Sequence, residues 1–143
     1  MTTLQPSLLL RRALLADGLV GVLTAAQLLL LTDWLSAFVE LPRQLLLGSG
    51  LALLPLAAWL IWLSRRETLP RPAVWAVLAL NALWVIDSLL LLLSGWVAPN
   101  LFGYALVIGQ AVVVLVFIEL ELLGLKRSAV VTGSFAQASS GAQ

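Results

Sequence analysis

The side chains that could carry chemistry in this sequence are a few carboxyl and amide groups set inside long apolar stretches. The acidic ones are Asp17, Asp87, Glu119 and Glu121, each surrounded by leucine, valine and alanine. Carboxyl groups bind cations, form ion pairs and transfer protons. Placing one at bilayer depth costs about 2.5–3.5 kcal/mol, so such a group is expected to face a bundle interior with a partner.

A polar stripe in the third apolar stretch has the spacing of one helix face. Asn81, Trp84, Asp87 and Ser88 follow one another at i, i+3, i+6 and i+7. One interpretation is an interhelical clamp, in which Asn81 and Asp87 hydrogen-bond to Gln27, Gln110 or Ser88. The other is a binding site for a polar or cationic ligand, with Trp84 as one wall.

Asp17 lies about one turn inside the first apolar stretch and shares a helix face with Gly21 and Thr24. One interpretation is an interfacial carboxylate near a helix N-terminus, close to Arg11 and Arg12, where the helix dipole favours negative charge. The other is a carboxylate coupled to a bound cation or proton.

The last apolar stretch carries its polar groups on two opposite faces. Gln110 and Glu121 are eleven residues apart, which is close to three helical turns, so they share a face. Glu121 is predicted to form an ion pair with Lys126 or with a neighbouring arginine. Glu119 points about half a turn away, so it must reach the interface, stay neutral, or meet another helix or a second subunit.

Several classes of site are excluded by composition. The chain has no cysteine and no histidine, which excludes thiol redox chemistry, ordinary zinc sites and a Ser-His-Asp triad. We expect no catalytic residue, no metal and no cofactor. A lipid-modifying enzyme would use Asp87 or Glu119 as acid or base, but neither has a second catalytic group beside it. There is no basic patch for a nucleic acid.

The elements that must position these groups are membrane-spanning helices. The 143 residues are 62% hydrophobic and only 10% charged, against about 25% charged in soluble domains. Apolar runs cover about residues 13–32, 44–63, 73–94 and 101–123. Each is long enough to cross a bilayer, where only a helix satisfies its own backbone. The predicted fold class is all-α: a polytopic membrane protein with a four-transmembrane-helix bundle.

Small residues predict which helices pack most closely. Ala13, Asp17, Gly21 and Ala25 recur every four residues in the first run, and Gly48 and Ala52 do so in the second. Such stripes allow helix backbones to approach each other. The first two helices are therefore expected to be tightly packed.

The basic residues predict the orientation. Seven of the eight fall on one side of the predicted spans, and only Arg43 falls on the other. By the positive-inside rule, both termini are then cytoplasmic, with residues 1–12 as a short leading segment and residues 128–143 as a flexible tail. We expect a multi-pass protein of a bacterial inner membrane. A cleaved signal peptide is the alternative for the first run, but Asp17 and the absence of a clear cleavage site disfavour it.

The sequence resembles a group of small bacterial integral membrane proteins of unassigned function. The resemblance rests on Asn81-Ala-Leu-Trp84-Val-Ile-Asp87-Ser88, on Gln110-Ala, and on Glu119-Leu-Glu121-Leu-Leu-Gly124-Leu-Lys126-Arg127. It implies a four-helix architecture and no particular activity. The small multidrug transporters are similar in layout, with Asp17 at the loosely matching position, but this chain is longer and its arginines favour a single orientation.

Two functions follow from these observations as expectations. The first is a non-catalytic accessory or interaction subunit, in contact with lipid, that acts as a homo-oligomer or within a larger membrane complex. The alternative is a small carrier or channel for a cationic or amphipathic solute, using the embedded carboxyl groups.

Overall fold

The structure is a computed structural model that describes residues 2–131. Its elements, in chain order, are β1 (Thr3–Gln5), α1 (Leu8–Leu30), α2 (Thr32–Val39), α3 (Arg43–Ser64), β2 (Leu69–Pro70), α4 (Arg71–Leu93), α5 (Leu101–Lys126) and β3 (Ala129–Val131). Four of the five helices, α1, α3, α4 and α5, are long and apolar enough to cross a membrane. The helical fold and the four long helices are thus confirmed.

The long helices begin and end within five residues of the apolar runs, and two departures from the runs have a local cause. α1 begins at Leu8 rather than near residue 13, because the Ser7 hydroxyl caps it by accepting a hydrogen bond from the Leu10 amide at 3.2 Å. The connection after α1 forms a helix of its own, α2. α2 ends at Val39, and the next residue, Glu40, has a φ of 55° that turns the chain back towards α3.

The long helices pack with α1 in the middle, against α3 on one side and α5 on the other, while α4 lies on α5. Glycines permit the closest contacts. A Cβ on Gly18 would lie 2.7 Å from Cγ1 of Ile61, and a Cβ on Gly124 would lie 2.7 Å from the backbone nitrogen of Leu10. The predicted close packing of the first two helices is therefore confirmed.

Two apolar clusters close the two ends of the bundle. One surrounds Leu10, Leu63 and Val74 at the end that carries Arg11, Arg12, Arg65, Arg66, Arg71, Lys126 and Arg127, called here the arginine-rich end. The other surrounds Leu28, Val39, Leu41, Leu46, Val97 and Val107 at the opposite end. The layer between the clusters is where most of the embedded polar groups lie.

A three-stranded antiparallel sheet, which the sequence patterns do not predict, covers the arginine-rich end. Its strand order is β2-β1-β3, with Leu4 opposite Leu69 and Val130. Leu4 and Leu69 are buried against the apolar cluster at that end. The first residues of the predicted flexible tail thus form a strand, and residues 132–143 of that tail lie outside the described residues.

Candidate functional site

A central cavity of about 350 Å³ lies between the four long helices. Its wall is mostly apolar, and its polar side chains are Asp17, Thr24, Gln27, Asn81, Trp84 and Gln110. A second cavity of about 270 Å³ adjoins it towards the opposite end and shares Thr24, Gln27, Trp84 and Gln110 with it. Both volumes are near the lower bound of those that hold small ligands, about 300–1,000 Å³.

At the end of the cavity nearest the arginines, three helices bring two carboxyl groups to one amide. Nδ2 of Asn81 on α4 donates a hydrogen bond to Oδ2 of Asp17 on α1 at 2.8 Å and to Oε2 of Glu121 on α5 at 3.3 Å. These three side chains, here the acid–amide cluster, are 7%, 4% and 1% exposed for Asp17, Asn81 and Glu121 respectively. Oε1 of Glu121 is buried and has no hydrogen-bond partner.

The acid–amide cluster has no basic partner, so the ion pair predicted for Glu121 is wrong. Within residues 2–131 the one salt bridge joins Arg43 to Asp33, while Lys126 and Arg127 are exposed. The physical reason is the rotation of α5: Gly124 lies against Leu10, which turns Glu121 into the bundle and leaves the basic residues outside. Buried carboxyl groups are costly without compensation, and the hydrogen-bond donor found for these two is the Asn81 amide.

The position of Asp17 also differs from one of the two positions that the sequence predicts for it. It is not an interfacial carboxylate beside Arg11. The Arg11 guanidinium instead donates to the carbonyl oxygen of Arg66 at 2.8 Å, which ties α1 to the end of α3. Asp17 is thus a cavity residue, and its hydrogen-bond partner comes from α4.

Trp84 is held in the wall of the cavity by a ring of hydrogen bonds. Its Nε1 donates to Oε1 of Gln110 at 2.6 Å, Nε2 of Gln110 donates to Oγ of Ser88 at 3.0 Å, and Oγ of Ser88 donates to the carbonyl oxygen of Trp84 at 2.7 Å. The amide of Gln110 is used at both ends, which fixes its orientation. The indole therefore presents a rigid face to the cavity.

The polar stripe of α4 lies partly inside the bundle and partly on its surface. At about 100° per residue, Ser88 lies about 20° from Asn81 around the helix, Trp84 about 60° and Asp87 about 120°. Asn81 and Ser88 are accordingly buried, Trp84 is half-buried and Asp87 is exposed. The predicted clamp thus forms through Gln110 and Ser88, but Asp87 lies outside the interior and Asn81 bonds to carboxyl groups instead.

Glu119 lies on the outer face of α5 and is exposed. Glu121, two positions later, is buried, because two residues turn a helix by about 200°. The structure therefore brings together Asp17, Asn81 and Glu121, and separately Trp84, Ser88 and Gln110. It leaves Asp87 and Glu119 apart from both groups.

The meeting of Asp17 with Glu121 was missed from sequence, although a signal for it exists. Asp17 follows Arg12 by five residues and Glu121 precedes Lys126 by five, so the two lie at the same depth from the arginine-rich end.

Within the described residues no three acidic side chains are grouped as a metal site. Comparisons with protein-family models, with curated proteins and with solved structures find no match to this chain.

Proposed function

We propose that this chain is a multi-pass protein of a bacterial inner membrane, with both termini in the cytoplasm, that binds an amphipathic cation in its central cavity as a small carrier. The observation that supports this most strongly is the acid–amide cluster at one end of a mostly apolar cavity, which Asp17 and Asn81 help to line. Two buried carboxyl groups there meet one amide and no basic side chain.

The lining of the cavity matches the two parts of such a ligand. Asp17 and Asn81 would receive the cationic group, and the rigid indole of Trp84 would lie against its flank as a cation–π partner. Leu53, Leu56 and Leu60 of α3, with Leu106 of α5, would cover the apolar portion.

The test is binding of radiolabelled dodecylamine to the full chain in phosphatidylcholine nanodiscs. We expect saturable binding that dodecanol, which has the same chain without the charge, does not displace. Asp17→Asn should weaken binding about 10–100-fold, because a hydrogen bond to a charged group contributes about 1.5–3 kcal/mol.

The matched control is Asp33→Asn, which removes an exposed carboxylate that pairs with Arg43 away from the cavity. It should bind dodecylamine like the natural chain. Binding that does not saturate, or that Asp17→Asn leaves unchanged, would reject the proposed function.

A second candidate, an accessory or interaction subunit, is favoured by one observation. Glu119 is exposed on the outer face of α5 and lies seven residues, or about 10 Å, inside the helix end at Lys126. A carboxyl group at that depth is expected to meet another helix. That helix would belong to a second copy of the chain or to another subunit.

Glu119→Gln is expected to weaken such an assembly at least roughly tenfold, because it removes one member of a desolvated polar contact. Native mass spectrometry from mild detergent would give the assembly size, with Glu40→Gln, in the connection after α2, as the control. A natural chain that is already a monomer without a bound partner would speak against this candidate.

A further inference from the structure

A lateral opening between α3 and α4 exposes the edge of the site to the surroundings of the bundle. Two adjoining grooves of about 450 Å³ and about 550 Å³ lie between these helices. Asp87 and Trp84 border both grooves, and Trp84 also borders the central cavity. Trp84 and Leu56 therefore lie between the central cavity and the deeper groove.

Asp87 is the charged side chain of this opening, and it has no basic partner within residues 2–131. The basic side chain at the same end of the bundle is Arg43, and its Nε lies 2.6 Å from Oδ1 of Asp33. Asp87 lies six residues before the end of α4 at Leu93, which corresponds to about 9 Å of helix. An exposed carboxyl group at that depth calls for a cationic or strongly donating neighbour.

The rest of the opening is mostly apolar, with a few hydroxyl groups near the end of α4. Near the end of α4 it is lined by Ser94 and Trp96, with Ser49 across from them on α3. Deeper in, it is lined by Pro55, Leu56, Trp59 and Leu83. One carboxylate in a mostly apolar groove matches a molecule with one positive group and one long apolar chain.

We propose that the groove between α3 and α4 is a second binding site, which takes the ammonium group of a lipid-like amine from the surrounding membrane at Asp87. The ligand class rests on the proposed function, but the site is a separate one. A second copy of this chain is a poorer occupant, since residues 13–42, 44–64 and 72–125 contain no lysine or arginine that could reach Asp87 at this depth.

The experiment uses the absence of cysteine from the chain. A bimane label on Leu83→Cys reports on the groove, and a label on Leu115→Cys reports on an equally lipid-facing position of α5 that borders neither groove. The probe is a doxyl-labelled stearylamine in phosphatidylcholine vesicles. Doxyl-labelled stearyl alcohol serves as the uncharged comparison.

We expect the amine to quench the label at position 83 at roughly tenfold lower concentration than at position 115, as one charge-assisted hydrogen bond would produce. The alcohol should quench both positions alike. Asp87→Asn, at an exposed position where the fold does not depend on the carboxylate, should abolish the difference, while Asp17→Asn should leave it in place.

Equal quenching at the two positions, or a difference that survives Asp87→Asn, would overturn the groove site. So would a copurified transmembrane chain that keeps position 83 unquenched, because the groove would then be a protein interface. Failure of dodecylamine to bind in the central cavity, with the Asp87-dependent difference intact, would reject the proposed function and leave the groove site standing.

Discussion

Replacing Asn81 by leucine is expected to destabilise the bundle more than any other single loss of a hydrogen bond in it. The amide is the shared donor to Asp17 and Glu121, so its removal leaves two buried carboxyl groups without their donor. The expected cost is about 1–3 kcal/mol for each carboxyl group. An ordinary interhelical hydrogen bond in a membrane contributes about 0.6 kcal/mol. The loss of stability in Asn81→Leu therefore distinguishes a donor shared by two buried carboxyl groups from an ordinary hydrogen bond.

The measurement is thermal unfolding in detergent, followed by far-ultraviolet circular dichroism. Asn81→Leu should lower the midpoint strongly, and the double substitution Asp17→Asn with Glu121→Gln should restore much of the loss in the Asn81→Leu background. Ser94→Ala, which removes an exposed hydroxyl bonded to the carbonyl oxygen of Leu91, is the control and should change little. A midpoint for Asn81→Leu within the range of this control would show that the acid–amide cluster does not stabilise the fold.

The second large effect is expected at the arginine-rich end, in the short sheet. Leu4 is 2% exposed and packs in the same apolar cluster as Leu10, Leu63 and Leu69. Leu4→Ala should cost about 2–5 kcal/mol, because the surrounding helices are fixed by their own contacts and leave a cavity behind. We then expect β1 to separate from β2 and β3.

Hydrogen exchange of the backbone amides distinguishes this effect from a general loss of stability. The amides of residues 3–5 and 129–131, which pair across the sheet, should exchange faster in Leu4→Ala than in the natural chain. Leu8→Ala removes the same number of atoms from a side chain that is 63% exposed, so it should leave their protection unchanged. Equal protection in both variants would mean that Leu4 does not anchor the sheet.

The two binding proposals depend on different faces of α4, which makes them separable. Asn81 faces the interior with Asp17, whereas Asp87 faces the groove with Trp59. Trp84 lies between them, held by Gln110.

Much of this architecture is determined locally by the sequence. The four long helices follow from the length of the apolar runs, because a backbone in lipid must satisfy its own hydrogen bonds. Small residues predict the close contact of α1 with α3. On α3 the contact is made by Gly50 and Ala57, whereas Gly48 and Ala52 of the predicted stripe are exposed. The outward position of Glu119 relative to Glu121 follows from helix geometry alone, since it needs no knowledge of the neighbouring helices.

Only the tertiary structure decided which polar groups meet. Periodicity places Asp17, Asn81 and Glu121 on faces of their own helices, but the rotation of each helix against its neighbours is set by distant contacts such as that of Gly124 with Leu10. The rotation of α4 leaves Asp87 outward, and the rotation of α5 denies Glu121 its predicted basic partner. The short sheet was also beyond local patterns, because three residues carry too little periodicity and its stability comes from side chains supplied by the helices beneath it.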